Sequence, residues 1–162
     1  GKDRQWQHDN NMLSQADYFK GVSMLKTASL LQFTLPGVPS IYYGDEAGMQ
    51  GMKDPFNRAC FPWDHIDQEL YKWYKRLGEI RHGCAAFKTG EFNILYAGNS
   101  TVIYTRTGEG NCVLTAVNVS DSPSSAFVGN EWDNSYPFFG GRCENGTLYL
   151  EPYERALFSR ML

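Results

Sequence analysis

Asp54 and Arg58 are the side chains in this sequence best suited to gripping a polar ligand. A carboxylate accepts hydrogen bonds from two neighbouring hydroxyls, and a guanidinium fork donates to them. Their four-residue spacing equally allows a local ion pair that shapes the chain between them. Asp45 and Glu46 are two adjacent carboxylates. A pair working across one bond must face each other, whereas neighbours on a strand point to opposite faces, so a structural role is the better reading. Phe56, Phe61 and Trp63 could stack on the apolar face of a sugar ring or pin their own segment, Trp63 leaning toward the structural role. Trp73 reads as core. Trp132, Tyr136, Phe138 and Phe139 could form a small aromatic platform, although a core or domain interface suits them better. His65 and His82 read as loop and helix-end residues, and a cation at His82 would favour the end of a helix.

Composition excludes several classes. Hydrophobic residues make up 42% and charged residues 20%, so a packed core is expected and general disorder is not. The net charge of −3 comes with no basic run, which argues against nucleic acid as a partner. No stretch of about 18 apolar residues exists to cross a membrane as a helix. Cys60, Cys84, Cys112 and Cys143 lack CxxC spacing and have no histidines at ligand spacing, so no metal site is expected. Two disulfides are permitted by the even count, but a chain with an ample core does not need them, and free thiols in a reducing compartment are favoured. The sequons at Asn99, Asn118 and Asn145 read as chance polar turns.

Two patterns divide the chain. Residues 14–82 read as helix, strand, helix. Ser14 and Asp17 resemble a capping box, and Tyr18, Val22, Leu25 and Ser29 then recur at helical spacing until Pro36-Gly37. Ile41-Tyr42-Tyr43, ending at Gly44, predicts a short parallel strand buried on both faces. A long loop from Ala47 to about Asp67 is expected to be functional. Asp67 can cap a second helix, with Leu70, Trp73, Tyr74, Leu77 and Ile80 on one face and His82-Gly83 at its end. From Ala85 the period becomes two. Short strands are predicted at 92–96, 101–105, 113–117, 126–128, 147–150 and 156–158, separated by Gly-, Asn- and Ser-rich turns, which indicates an antiparallel β-sandwich. A lone parallel strand between helices lacks the neighbours it needs, so residues 1–83 are expected to be a fragment of a larger α/β domain. The polar opening and the absence of an initiating Met lead to the same expectation, with Gly1 a cut point or cloning remnant.

The run Leu30-Leu-Gln-Phe-Thr-Leu-Pro-Gly-Val-Pro-Ser-Ile-Tyr-Tyr-Gly-Asp-Glu-Ala-Gly-Met49, continued by Lys53-Asp-Pro-Phe-Asn-Arg-Ala-Cys-Phe-Pro-Trp63, resembles the α-amylase superfamily of glycoside hydrolases. It is most similar to the neopullulanase, cyclomaltodextrinase and maltogenic amylase branch. The resemblance is specific over about residues 28–63, good to 83 and architectural beyond. It implies an α+β fragment, in which residues 1–83 end a (β/α)8 barrel and residues 84–162 form the Greek-key β-sandwich that follows it.

The activity implied is hydrolysis of α-1,4 bonds in maltooligosaccharides, starch or cyclodextrins with retention of configuration, α-1,6 bonds remaining open. One carboxylate attacks the anomeric carbon, a carboxylic acid protonates the leaving oxygen and a third carboxylate helps hold the distorted sugar. In the family all three precede the position of residue 1, so the catalytic set is expected to be absent and this chain alone inactive. Gln7-His8-Asp9-Asn10 echoes the motif of the third carboxylate, but no apolar strand precedes it, and a polar insertion is the better reading. The resemblance implies that Asp54 and Arg58 bind a glucose unit, with Phe56 beside them. It also implies no cofactor and a cytoplasmic location. A transglycosylase or isomerase of the same superfamily remains open, and a non-catalytic carbohydrate-binding or interaction module is the rival class. The bare edges of a 41–43 strand would have to pair with another copy, be covered otherwise or stay disordered.

Overall fold

The computed structural model describes residues 3–162. Gly1, and with it the expectation of a cut point, lies outside the described residues, as does Lys2. Helix α1 (Arg4–Asp9) is followed by the 20-residue α2 (Gln15–Thr34), then by α3 (Gln68–Gly83) and the short α4 (Ala86–Thr89). Eight strands come next: β1 (Glu91–Gly98), β2 (Thr101–Gly108), β3 (Asn111–Asn118), β4 (Ser124–Phe127), β5 (Tyr136–Phe139), β6 (Arg142–Glu144), β7 (Thr147–Leu150) and β8 (Arg155–Met161). They form a five-stranded sheet ordered β1-β2-β3-β8-β5 and a three-stranded sheet ordered β4-β7-β6, with every pairing antiparallel.

Both helix starts follow the chemistry of their caps. Ser14 Oγ accepts from Asp17 N at 3.2 Å and donates to the Asp17 carboxylate at 2.7 Å. Asp67 Oδ1 accepts from Glu69 N and Leu70 N at 3.1 and 3.0 Å, satisfying two of the free N–H groups that begin α3.

The end of α2 needs more help, because its last carbonyls lie where helix meets sheet. Arg81 of α3 donates to Phe33 O and Gly37 O. Arg106 of β2, only 3% exposed, donates to Thr34 O at 3.3 Å and to Gly90 O at 3.0 Å. Thr34 Oγ1 donates back to Leu30 O, and its oxygen lies 2.6 Å from the Tyr104 hydroxyl. Two cations thus sit at the negative end of the helix dipole.

The large sheet is buried on both faces at its centre. On one face Val113, Val117 and Leu157 meet Leu30, Phe33, Leu70, Tyr74, Leu77, Ile80 and Phe87 of the helices. On the other, Cys112, Leu114, Ala116, Ala156 and Phe158 meet Val128, Trp132, Leu148 and Leu150 over the small sheet. Trp132 is 2% exposed, so it is core and no platform. Core packing therefore runs across position 84, from the helices into the strands.

Several expectations need correction. Residues 41–43 form no strand. Ile41, Tyr42 and Tyr43 are 43, 52 and 42% exposed, because no neighbouring strand lies beside them to complete a hydrogen-bond ladder. The tyrosines are accordingly outside the core. Asp45 and Glu46 lie in a 3-10 turn (Asp45–Ala47), so strand alternation does not describe them. Strand β5 carries no strand signal in the sequence because Pro137 interrupts it, and Pro is tolerated there because β5 is an edge strand. Strand β6 has only three residues. Residues 86–89, expected in the β-rich part, turn helically to bury Ala86 and Phe87. Asn99 and Asn145 do occupy turns with φ of 47° and 50°. Asn118, however, is 1% exposed, its Nδ2 donating to Ser122 O and Glu151 O, so it is no polar turn.

Replacing Arg106 by Met should leave Thr34 O and Gly90 O without their donors and lower the unfolding free energy by about 3 kcal/mol. Urea denaturation followed by tryptophan fluorescence measures this, and an unchanged midpoint would rule out the clasp as a source of stability.

Candidate functional site

The loop between α2 and α3 is held at its base and open at its rim. Asp67 N donates to Ala47 O at 3.0 Å, so the segment closes on itself where it leaves the 3-10 turn and enters α3. Gly48, at φ 74°, sits beneath Tyr18, and a Cβ there would lie 2.3 Å from the phenol oxygen. Tyr18 in turn donates to Asp67 Oδ2 at 2.6 Å. Burial, then the hydrogen bond to Asp67, pushes the Tyr18 phenol up to about 12. Burial opposes ionisation of Asp67, but the hydrogen bonds from Tyr18, Leu70 and Glu69 outweigh it and hold the carboxyl below its ordinary value. Farther along, Gln50 Oε1 accepts from Leu13 N at 2.7 Å, and the Tyr43 hydroxyl donates to Ala59 O at 3.0 Å.

Two tight turns bring the rim residues together. Phe56 N donates to Lys53 O and Arg58 N to Pro55 O, both at 3.0 Å, and the Asp54–Pro55 peptide is cis. Arg58 Nε lies 2.7 Å from Asp54 Oδ1, with the two side chains 67 and 60% exposed. The pair is therefore formed, yet most of its hydrogen-bonding surface still faces water. Phe56 is half-buried and meets the edge of His8, ring centres 6.2 Å apart. Phe61 and Trp63 contact each other at 4.7 Å, but Trp63 is 77% exposed, which does not suit a pinning role.

The other sequence candidates lie elsewhere. Glu46 Oε2 accepts from Gly44 N at 3.0 Å. Asp45 is pushed up by burial and then by the charge of Glu46, and its own charge helps raise Tyr74 of α3 to about 12, after burial. These carboxylates serve the backbone and the helix and do not face one another across a cleft. Gln7-His8-Asp9-Asn10 lies in and just after α1, with His8 Nδ1 3.0 Å from Asp9 Oδ1 on an exposed helix. The contact of His8 with Phe56 was not legible in the sequence, since it depends on where α1 docks. Among the described residues no three His, Cys, Asp or Glu side chains converge on a common point for a metal ion. None of the described helices is long and apolar enough to cross a membrane.

An antiparallel sheet-rich α+β unit carrying such a loop has counterparts among known proteins. No family model matches the chain. It is 45% identical over 98 residues to an amylopullulanase of Thermoanaerobacter thermohydrosulfuricus, covering 60% of this chain and 7% of that one. It is 36% identical over 136 residues to a cyclomaltodextrinase of Thermoanaerobacter pseudethanolicus, covering 81% and 24%. Among solved structures, a debranching enzyme of Nostoc punctiforme superposes on 86% of this chain and 29% of its own, at a TM-score of 0.74 and 28% identity. The chain thus spans only a small part of each relative. It is similar to a C-terminal portion of α-amylase family glycoside hydrolases.

Asp67 supplies stability through a carboxylate held below its unfolded value. That contribution should be fully present above about pH 5 and be lost as pH falls through the folded value. Asp67→Ala should cost about 1 kcal/mol at neutral pH and flatten the acid limb of the pH–stability curve. An acid limb identical in the variant would remove Asp67 from that role. Arg58→Ala should move thermal unfolding by the equivalent of less than about 1 kcal/mol, as expected for an exposed ion pair. A larger loss would mean that the pair chiefly scaffolds its loop.

Proposed function

We propose that this chain is the C-terminal part of a retaining α-glucan hydrolase acting on α-1,4 bonds of maltooligosaccharides, starch or cyclodextrins. In this reading residues 1–83 complete a (β/α)8 barrel and residues 84–162 are its Greek-key β-sandwich domain. The loop 48–66 follows the last barrel strand, where active-site loops of such barrels lie. Residues 41–43 are strand-competent and become that strand beside their barrel neighbours, or pair with another copy when those neighbours are absent. Asp54 and Arg58 bind one glucose unit through vicinal hydroxyls, and Phe56 supports it. The three catalytic carboxylates lie upstream, so this chain alone is inactive. The whole protein is cytoplasmic and needs no cofactor.

The observation that carries this reading is the formed but solvent-facing Asp54–Arg58 pair on a loop closed at its base. The second carboxylate oxygen and the remaining guanidinium donors face water and are open to a ligand's hydroxyls. Sharing one hydrogen bond also orients both groups in advance, which lowers the ordering cost when a sugar binds.

Reducing-sugar release from β-cyclodextrin and maltoheptaose tests the proposal. The 162-residue chain should release none, and the polypeptide extended upstream by a barrel's length should release glucose and maltose. Asp54→Asn in that longer protein should lower kcat/KM by about tenfold or more, the loss of a hydrogen bond to a charged group. Hydrolysis by the short chain, or full activity of the variant, would overturn the corresponding part of the reading.

A further inference from the structure

Helix α1 stands apart from the other helices in what it packs against. None of its residues is buried, and none belongs to the core between helices and sheet or to the core between the two sheets. It reaches the loop between α2 and α3 instead. Just beyond its end, Leu13 N donates to Gln50 Oε1 at 2.7 Å, and a hollow of about 260 Å³ follows the seam between residues 10–13 and 48–52. Farther out along the same loop, the His8 ring meets Phe56 edge-on, the ring centres 6.2 Å apart and the planes at 66°.

Phe56 is the midpoint of the rim, two residues from Asp54 and two from Arg58. The turn closed by its own N–H precedes it and the turn closed by Arg58 N–H follows it. Its carbonyl rests on the inner arm of the loop, where a Cβ on Gly51 would lie only 2.8 Å from Phe56 O. Two contacts therefore orient this part of the rim: Gly51 at the Phe56 backbone and His8 at its ring. The Asp54 and Arg58 side chains, 60 and 67% exposed, have little packing of their own, so the direction in which they point follows the turns that carry them. With the ring contact removed, those turns keep one support and are free to pivot on it.

His8 is itself held in place. Its Nδ1 lies 3.0 Å from Asp9 Oδ1, and Gln5 Nε2 donates to both Asp9 oxygens at 3.0 and 3.1 Å. An ionised carboxylate only accepts, so Nδ1 is the nitrogen that donates its proton there. The bond fixes the imidazole plane that Phe56 meets, and an edge-to-face contact depends on that plane.

We propose that His8 is a positioning residue for the Asp54–Arg58 pair. Its ring, oriented by Asp9 and Gln5, sets the direction in which Phe56 and the turns on either side of it present the two charged groups. That the pair binds glucose rests on the function proposed above, whereas its placement by His8 does not. His8 touches no ligand in this arrangement and acts through Phe56. The fit of a sugar to the pair then depends on a helix outside the loop that carries it.

The nitrogen shift of Arg58 Nε in the 162-residue chain at neutral pH reads the pair directly and tests this. His8→Ala should move or broaden that signal together with the amides of residues 54–58. His8→Phe, which keeps a ring against Phe56, should restore both. The thermal midpoint should stay unchanged in both variants, since α1 buries nothing. In the protein extended upstream, His8→Ala should raise KM for maltoheptaose about two- to tenfold, the worth of one aromatic contact, with kcat held within about twofold. His8→Phe should bring KM back to within about twofold of the starting protein. A merely structural role would lower the midpoint and kcat together and leave KM alone. Unmoved Arg58 signals in His8→Ala, signals that His8→Phe does not restore, or a fall in kcat at constant KM overturns the positioning role. Arg58 signals that move and are restored in a chain whose longer form hydrolyses no glucan sustain it and overturn the hydrolase reading.

Discussion

The C-terminus of α2 is the point on which the two parts of the chain depend. A helix ends with carbonyls that its own backbone cannot satisfy, and here they are placed against a sheet where water has little access. The chain answers with Arg81 from the next helix and Arg106 from the second strand, both donating to carbonyls at or just beyond that end. Burial holds both guanidiniums below the ordinary arginine value, and at Arg106 the charge of Arg81 adds to it. The arrangement persists because several peptide carbonyls and the helix dipole oppose that cost. Since the 38–47 segment starts directly after this clasp, the sheet fixes where the loop between α2 and α3 begins.

The large sheet then organises two kinds of packing with one set of strands. Odd-numbered β3 residues Val113 and Val117 face the helices, and even-numbered Cys112, Leu114 and Ala116 face the small sheet. This is why β3 is buried along nearly its whole length while the edge strand β1, as apolar in sequence, is mostly exposed. The same junction leaves a furrow where helices, β5 and the β7–β8 turn fail to close on one another.

Elements whose pattern is set by their own residues were legible. Ser14 and Asp67 start helices by local capping, and the loop limits at Ala47 and Asp67 follow from glycine, proline and cap chemistry. Six of the eight strands could be read from alternation and turns. What escaped depends on partners distant in sequence. The 41–43 run has the composition of a buried strand, but a strand exists only when neighbours bond to it. Strand β5 contains a proline and becomes a strand only because β8 offers an edge. At the candidate site, the spacing of Asp54 and Arg58 allowed the local pair that forms. The docking of His8 on Phe56 and the exposure of Trp63 are tertiary facts with no local signal.

One hydrogen bond from Asp67 to Ala47 joins the two ends of the loop before its rim begins. Helix α3 is therefore indifferent to what lies between them. Lengthening such a closed segment is cheap, each doubling costing only about 0.6 kcal/mol in closure entropy. Residues 49–66 are thus a cassette, open to insertion, deletion and exchange without retuning the scaffold beneath. Diversification of this fold can proceed by rewriting that stretch, while Gly44 and Gly48, both at positive φ, and the aspartate latch stay in place.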